Sequence, residues 1–217
     1  MKAVVAVLFA LVIAGAGWLG WTKYQASQET KEAILSVRVS ATQTERQLKA
    51  RMEDGITFAE YFKRGSSVMD RLDQEESRLQ TRQWKHRPED RDTAIEFIEQ
   101  CKSIVRSDQS NARLIMEQSN AQSALDQAEK EYDQAVTSYA IEWASKQRST
   151  ASDNLIEVLN KLIKNTQESE DKIKKMLAAD DSVKAAFGQE VGLSSDMVGN
   201  LKAAIEPSKA KEKQKEG

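Results

Sequence analysis

Residues 94–115 read AIEFIEQCKSIVRSDQSNARLI, and the spacing of apolar side chains in this stretch decides the fold. Ala94, Ile98, Cys101, Val105, Ala112 and Ile115 recur at alternating steps of four and three, with Asp108 in the remaining seam position. Side chains at that spacing share one face of a helix, whereas a half-buried strand needs alternation at every second residue. The pattern continues on both sides. Ile34, Val37, Ala41 and Leu48 form an earlier series around Thr44. Phe58, Phe62, Met69, Leu72 and Leu79 form another around Gly65 and Glu76. Ala121, Leu125, Ala128, Tyr132, Ala135 and Tyr139 follow, and then Leu155, Leu159, Leu162, Thr166, Ile173 and Met176. This coiled-coil-like periodicity predicts an all-α protein whose helices pack through a narrow seam.

Composition points the same way. The apolar share is 40%, but much of it falls in the first two dozen residues; 30% of the chain is charged and only 6% aromatic. That suits long rods with a thin apolar stripe better than a thick globular core. A net charge of −2 supplies no basic field, so no nucleic-acid partner is expected. A single cysteine, Cys101, excludes an intramolecular disulfide and a cysteine zinc cluster.

The breaks between helices carry their own chemistry. Gly55 can close a helix in the left-handed conformation. Thr57 and Glu60 then form a capping box, with Ile56 and Tyr61 placed as a hydrophobic staple. A second break is expected from Trp84 to Pro88, where Arg78, Arg82 and Lys85 suit a helix end and Glu89, Asp90 and Asp92 a helix start. From Glu89 to Lys146 nothing breaks the helix, although the seam shifts by one position between Ile115 and Ala121; this predicts one helix of about 58 residues, about 87 Å long, with a local distortion at the shift. Thr150 with Asp153 resembles a further capping box. Asp180 or Asp181 opens a short helix stopping near Gly188, and Ser194 or Ser195 opens a last one ending before Pro207. Two arrangements fit: a tight reversal at Gly55 giving antiparallel helices, or a mere kink there giving one extended hairpin. The coincidence of glycine, box and staple favours the reversal.

From Ala3 to Trp21 there is no charged residue. About 19 helical residues span about 28 Å, close to the thickness of a hydrocarbon core, and this predicts a single N-terminal transmembrane helix. Trp18, Trp21 and Tyr24 fall at its far end, where amphipathic rings favour the headgroup layer. The rival is a signal peptide cleaved near Ala14-Gly15-Ala16, but the run continues through Trp21. Ala6, Ala10 and Ala14 offer a small-residue face on which two membrane helices could pair. Resemblance to an export signal places the helical domain on the extracytoplasmic side, periplasmic in a bacterium. The expected organisation is thus an anchor at 1–24, an elongated antiparallel bundle or coiled-coil hairpin at 25–178, short helices at 179–206 and a disordered lysine-rich tail at 207–217.

Little catalytic chemistry is signalled. His86 is the lone histidine and sits in an expected turn between Lys85 and Arg87, with no orienting carboxylate nearby in sequence. The Ser169–Lys172 spacing lacks the other elements of a serine–lysine site. Cys101 lies on the apolar stripe and reads as a buried structural thiol. Arg82, Trp84, Lys85 and Arg87 could meet anionic headgroups or a partner, or simply compensate a helix C-terminus. The expectation is a membrane-anchored helical scaffold or interaction protein of a cell-envelope assembly, not an enzyme. It needs no cofactor, and its partners are membrane lipid and another protein or a second copy. The other reading is a ligand-binding or sensing bundle with a cavity near Tyr132, Tyr139 and Trp143.

Overall fold

The computed structural model describes the backbone of residues 2–51 and 53–213, and side chains for 21–51 and 53–206. The chain forms five helices: α1 (Lys2–Ala50), α2 (Phe58–Thr81), α3 (Pro88–Asp133), α4 (Ser138–Phe187) and α5 (Ser195–Lys213). Among the described residues no helix is long and apolar enough to cross a membrane. The expected anchor, with Trp18 and the Ala6, Ala10 and Ala14 face, falls on residues whose side chains lie outside the described set.

The chain reverses at Gly55, as the local motifs predict. Gly55 has φ 80°, a backbone conformation that costs other residues steric strain. Thr57 caps α2 with both halves of the box made: its side chain accepts from the Glu60 N–H at 3.2 Å, and its own N–H donates to the Glu60 carboxylate at 3.1 Å. α1 and α2 are then antiparallel. Arg64 pairs with Glu53 near the turn, Ser36 with Glu75 farther along, and Arg82 with Glu32 at the far end. α3 runs parallel to α1, with Thr30 bonded to Asp90 and Arg51 to Asp108.

The core, to which all five helices contribute, includes Phe97, Leu72, Leu79, Ile98 and Met176, all fully buried. The α3 series holds from Ala94 to Ala112, but Ile115 is exposed. On α2 Gly65, Leu72 and Leu79 of the expected series are buried, but the alternate seam positions fall one residue earlier. Tyr61, Val68 and Glu75 are buried, while Phe58 is exposed and Met69 and Glu76 are only half-buried. At the 75/76 position, Lys102 of α3 holds Asp73 and Glu76 at the edge of the interface, at 2.5 and 2.6 Å, while Glu75 is buried against Ser36 and paired with Arg78. On α4, Thr166 is exposed rather than in the seam.

The long helix expected from Glu89 to Lys146 is broken at 134–137. Val136 and Thr137 are β-branched and costly in a helix, and the Thr137 hydroxyl accepts the Ala140 N–H at 3.2 Å as an N-cap. α4 starts there, so Thr150 lies inside it and returns its hydroxyl to the Lys146 carbonyl instead of capping. Nor does a helix start at Asp180 or Asp181. Asp180 is buried within α4 and accepts the Leu193 N–H at 2.7 Å, pinning the following turn. The stop at Gly188 (φ 105°) and the cap by Ser194, which accepts the Met197 N–H, are as expected. α5, however, continues past Pro207. Proline removes one bond from the helical ladder but has a φ that a helix accepts.

Candidate interaction surfaces

α3 and α4 are antiparallel and outlast their neighbours. The last ties from α1 and α2 to α3 gather at Asp108, which accepts from Arg51 at 3.3 Å and from the Tyr61 hydroxyl. Burial raises the Asp108 pKa; Tyr61 and Arg51 offset this only in part. Beyond Ala112 the two helices continue alone as a hairpin, with Ala121, Ala128, Ala144 and Val158 buried in its seam and Leu125, Leu155 and Leu159 half-buried. α3 has 46 residues, so its tip stands about 69 Å from Pro88.

A polar lock fixes the register where the hairpin leaves the bundle. Asn165 donates to Asn111 at 2.6 Å, and Ser110 donates to Asn165 at 3.2 Å. Ser169 donates to the Asn165 carbonyl, which leaves its oxygen to accept from Asn111 and from Ser107. Sliding α4 by one turn would leave these groups unpaired between helices, at about 1–3 kcal/mol for each buried one. Ser169 therefore has a structural partner set, separate from Lys172. Asn111 and Asn165 went unnoticed in the sequence because each lies beside the expected seam, next to Ala112 and Thr166, without breaking its spacing.

The hairpin tip is exposed and apolar: Val136 is 93% exposed, Tyr139 80% and Trp143 49%. Tyr132 faces elsewhere, its ring under the Arg148 guanidinium at 4.2 Å. Trp143 lines an open cleft between α3 and α4 with Ala128 and Ala151.

At the opposite end, the loop after α2 is held by a residue the sequence did not single out. Glu29, only 4% exposed, accepts the backbone N–H groups of Lys85, His86 and Arg87 at 3.1, 2.9 and 2.7 Å. These donors lie in the loop that leads into α3, beside the partial positive charge of its N-terminus. Burial acts to raise the Glu29 pKa, but the three amides together outweigh it and the net shift is downward. The available signal was an acidic residue one turn before Ala33 on the buried face of α1.

The expected contact cluster sits in this loop with its parts in different roles. Trp84 is half-buried against the core and donates its indole N–H to the Leu79 carbonyl at 2.8 Å. Arg82 pairs with Glu32 and Arg87 with Glu89, while Lys85 is exposed. Trp21 and Tyr24 are exposed and adjacent, ring centres 6.2 Å apart. Eight residues separate Trp21 from Glu29, so the docked loop stands about 12 Å above Trp21 along α1.

Cys101 is fully buried, and burial pushes its thiol up to about 12. Among the described residues no group of three or more His, Cys, Asp or Glu side chains is placed to hold a metal ion. Comparisons with protein families, with curated proteins and with solved structures find no match.

Proposed function

We propose that this chain is a single-pass, membrane-anchored helical scaffold that holds an interaction hairpin at a fixed distance from a bilayer, on its extracytoplasmic face, as part of a cell-envelope assembly. The observation that carries the reading is the hairpin itself. It leaves the bundle through a register lock and ends in exposed Val136, Tyr139 and Trp143. A tip exposed only to water has no reason to be aromatic, and exposed apolar patches mark binding surfaces. Tyr and Trp supply much contact area for little lost conformational freedom.

The other end supports the anchor. The uncharged segment 3–21 leads directly into Trp21 and Tyr24, and the bundle begins within about 12 Å of them. Lys23, Lys31 and Lys85 then lie near headgroup level, where each cation contributes about 1 kcal/mol toward an anionic surface. Ala6, Ala10 and Ala14 offer the face on which two such anchors could pair. The reading assigns the protein no catalytic chemistry and no cofactor. Position-specific photo-cross-linking tests it. With a photoreactive residue at Val136 or Tyr139 in intact membranes, the tip should capture one discrete protein species, whereas the same probe at Gln74 on α2 should not. A tip that captures nothing, or captures indiscriminately, overturns the scaffold reading.

A further inference from the structure

Between α1 and α2, short of the Gly55 reversal, lies a small pocket of about 120 Å³. Each helix lines it with three residues at the same i, i+3, i+4 spacing: Gln43, Arg46 and Gln47 from α1, and Arg64, Ser67 and Val68 from α2. Side chains so spaced are neighbours on a helix surface, so two antiparallel helices bring all of them to one place. A water takes up about 30 Å³, so the space admits about four oxygen-sized groups. That is the size of a tetrahedral oxyanion, and well below the volume of an ordinary organic-ligand site.

No carboxylate lines the pocket, and every lining residue except Val68 is polar. The acids beside it are engaged. Glu53 binds Arg64 at 2.6 Å through one guanidinium nitrogen, Glu60 holds Thr57, and Glu45 pairs with Lys49 and accepts the Ser194 N–H. Setting Glu53 against Arg64 leaves Arg46 uncompensated: among the described residues its guanidinium makes no ion pair or hydrogen bond, and the side chains of Gln43 and Ser67 make no hydrogen bond. Gln47 adds an independent observation. It is 1% exposed, lies beside Gly65 of α2, and neither polar atom of its amide has a hydrogen-bond partner. Buried amides without a partner are rare, and an anion would give this one an acceptor. A guanidinium has five N–H donors, an amide two and a hydroxyl one. The pocket thus gathers spare donors around a net positive charge, and arginine forks match phosphate oxygens two at a time.

We propose that this pocket binds a soluble phosphate group, free or carried as a monoester, with Arg46 and Arg64 on its oxygens and Gln43, Gln47 and Ser67 as further donors. The pocket itself involves neither the membrane anchor nor the hairpin tip, so it stands or falls separately from the scaffold reading. Only the choice of a soluble phosphate over a lipid headgroup rests on that reading: Arg46 stands about 38 Å beyond Trp21 along α1, out of reach of headgroups at the level of Trp21. Calorimetric titration of the full chain in phosphatidylcholine nanodiscs tests the proposal, at low ionic strength because salt screens exposed arginines. Inorganic phosphate and glycerol phosphate should give saturable binding, and the tighter of the two identifies the free ion or the monoester as the ligand. Arg46→Gln should weaken it about tenfold, and Ser67→Glu, which sets a carboxylate in the pocket, should remove it. Both positions are exposed, so circular dichroism should show the fold unchanged. Adding phosphatidic acid to the nanodiscs should leave the titration unaltered; competition by that lipid would overturn the soluble source. No saturable binding up to about 10 mM phosphate, equal affinity for acetate, or binding that survives Arg46→Gln undiminished would each overturn the site.

Discussion

Glu29 shows how one side chain can tie two distant segments of a chain together. Its carboxylate satisfies three backbone donors that no helix could satisfy, and bonds to a charged acceptor contribute about 1.5–3 kcal/mol each. Glu29→Gln keeps the shape and one acceptor, so a loss of about 2 kcal/mol at neutral pH is expected. The folded-state pKa is depressed, so the carboxylate's contribution is complete above its ordinary value of 4.5 and fades as pH falls through the lower folded value. Melting curves of Glu29→Gln and the unaltered chain should therefore differ at pH 7 and converge in acid; a constant difference would contradict the assignment. Ser40 is the opposite case. Its hydroxyl is fully buried and has no hydrogen-bond partner. Ser40→Ala removes an unsatisfied polar atom and improves helix propensity, so it should stabilise the fold by about 1 kcal/mol in denaturant titration. Most serine substitutions in a core would do the reverse. Cys101 makes a third prediction at this scale: with its thiol raised to about 12, it should resist alkylation at pH 8 until the chain is unfolded.

Among the elements, what the sequence made legible and what it hid divide along a physical line. Local chemistry was readable: Gly55, Thr57 and Glu60 announce the reversal, and Ala94 to Ala112 announce their buried face because the whole periodic signal lies within one helix. The exchange of Glu76 for Glu75 on α2 was not, because Lys102, which pairs with Glu76, belongs to another helix. The turn at 134–137 was missed for a different reason. It contains neither glycine nor proline, and its only marks are a β-branched pair and a capping threonine. Glu29 and the asparagine pair escaped notice because their partners lie more than fifty residues away. The hairpin depends on few fully buried side chains, and this makes it sensitive. A charge in place of Leu125 or Leu159 should unfold residues beyond the lock while leaving the four-helix region intact. Hydrogen exchange would then show protection lost between about residues 115 and 162 and retained at Phe97 and Ile98. Protection lost everywhere would mean that hairpin and bundle fold as one unit.

For the molecule as a whole, the two ends differ in character and the distance between them is set by helix length alone. At one end the chain emerges from its uncharged segment and the loop of Trp84 is clamped by Glu29. At the other, about 69 Å along α3, stand Val136 and Tyr139. A scaffold that presents its tip away from a bilayer must hold this axis upright. The parallel run of α1 and α3 supplies the means, because α3 inherits its direction from the helix that carries the uncharged segment, through Thr30–Asp90 at one end and Arg51–Asp108 at the other. In the full chain reconstituted into vesicles, a fluorophore at Lys85→Cys should transfer energy efficiently to acceptors on the lipid headgroups. The same fluorophore at Val136→Cys should transfer almost none, provided Cys101 is first replaced by alanine. Loosening the joint with Arg51→Ala and Tyr61→Phe together should raise transfer from the tip without melting α1 or α2, since the hairpin would then tilt about its lock. Strong transfer from Val136→Cys in the otherwise unaltered chain would mean that the hairpin lies along the surface, and that its apolar tip meets lipid rather than a distant protein.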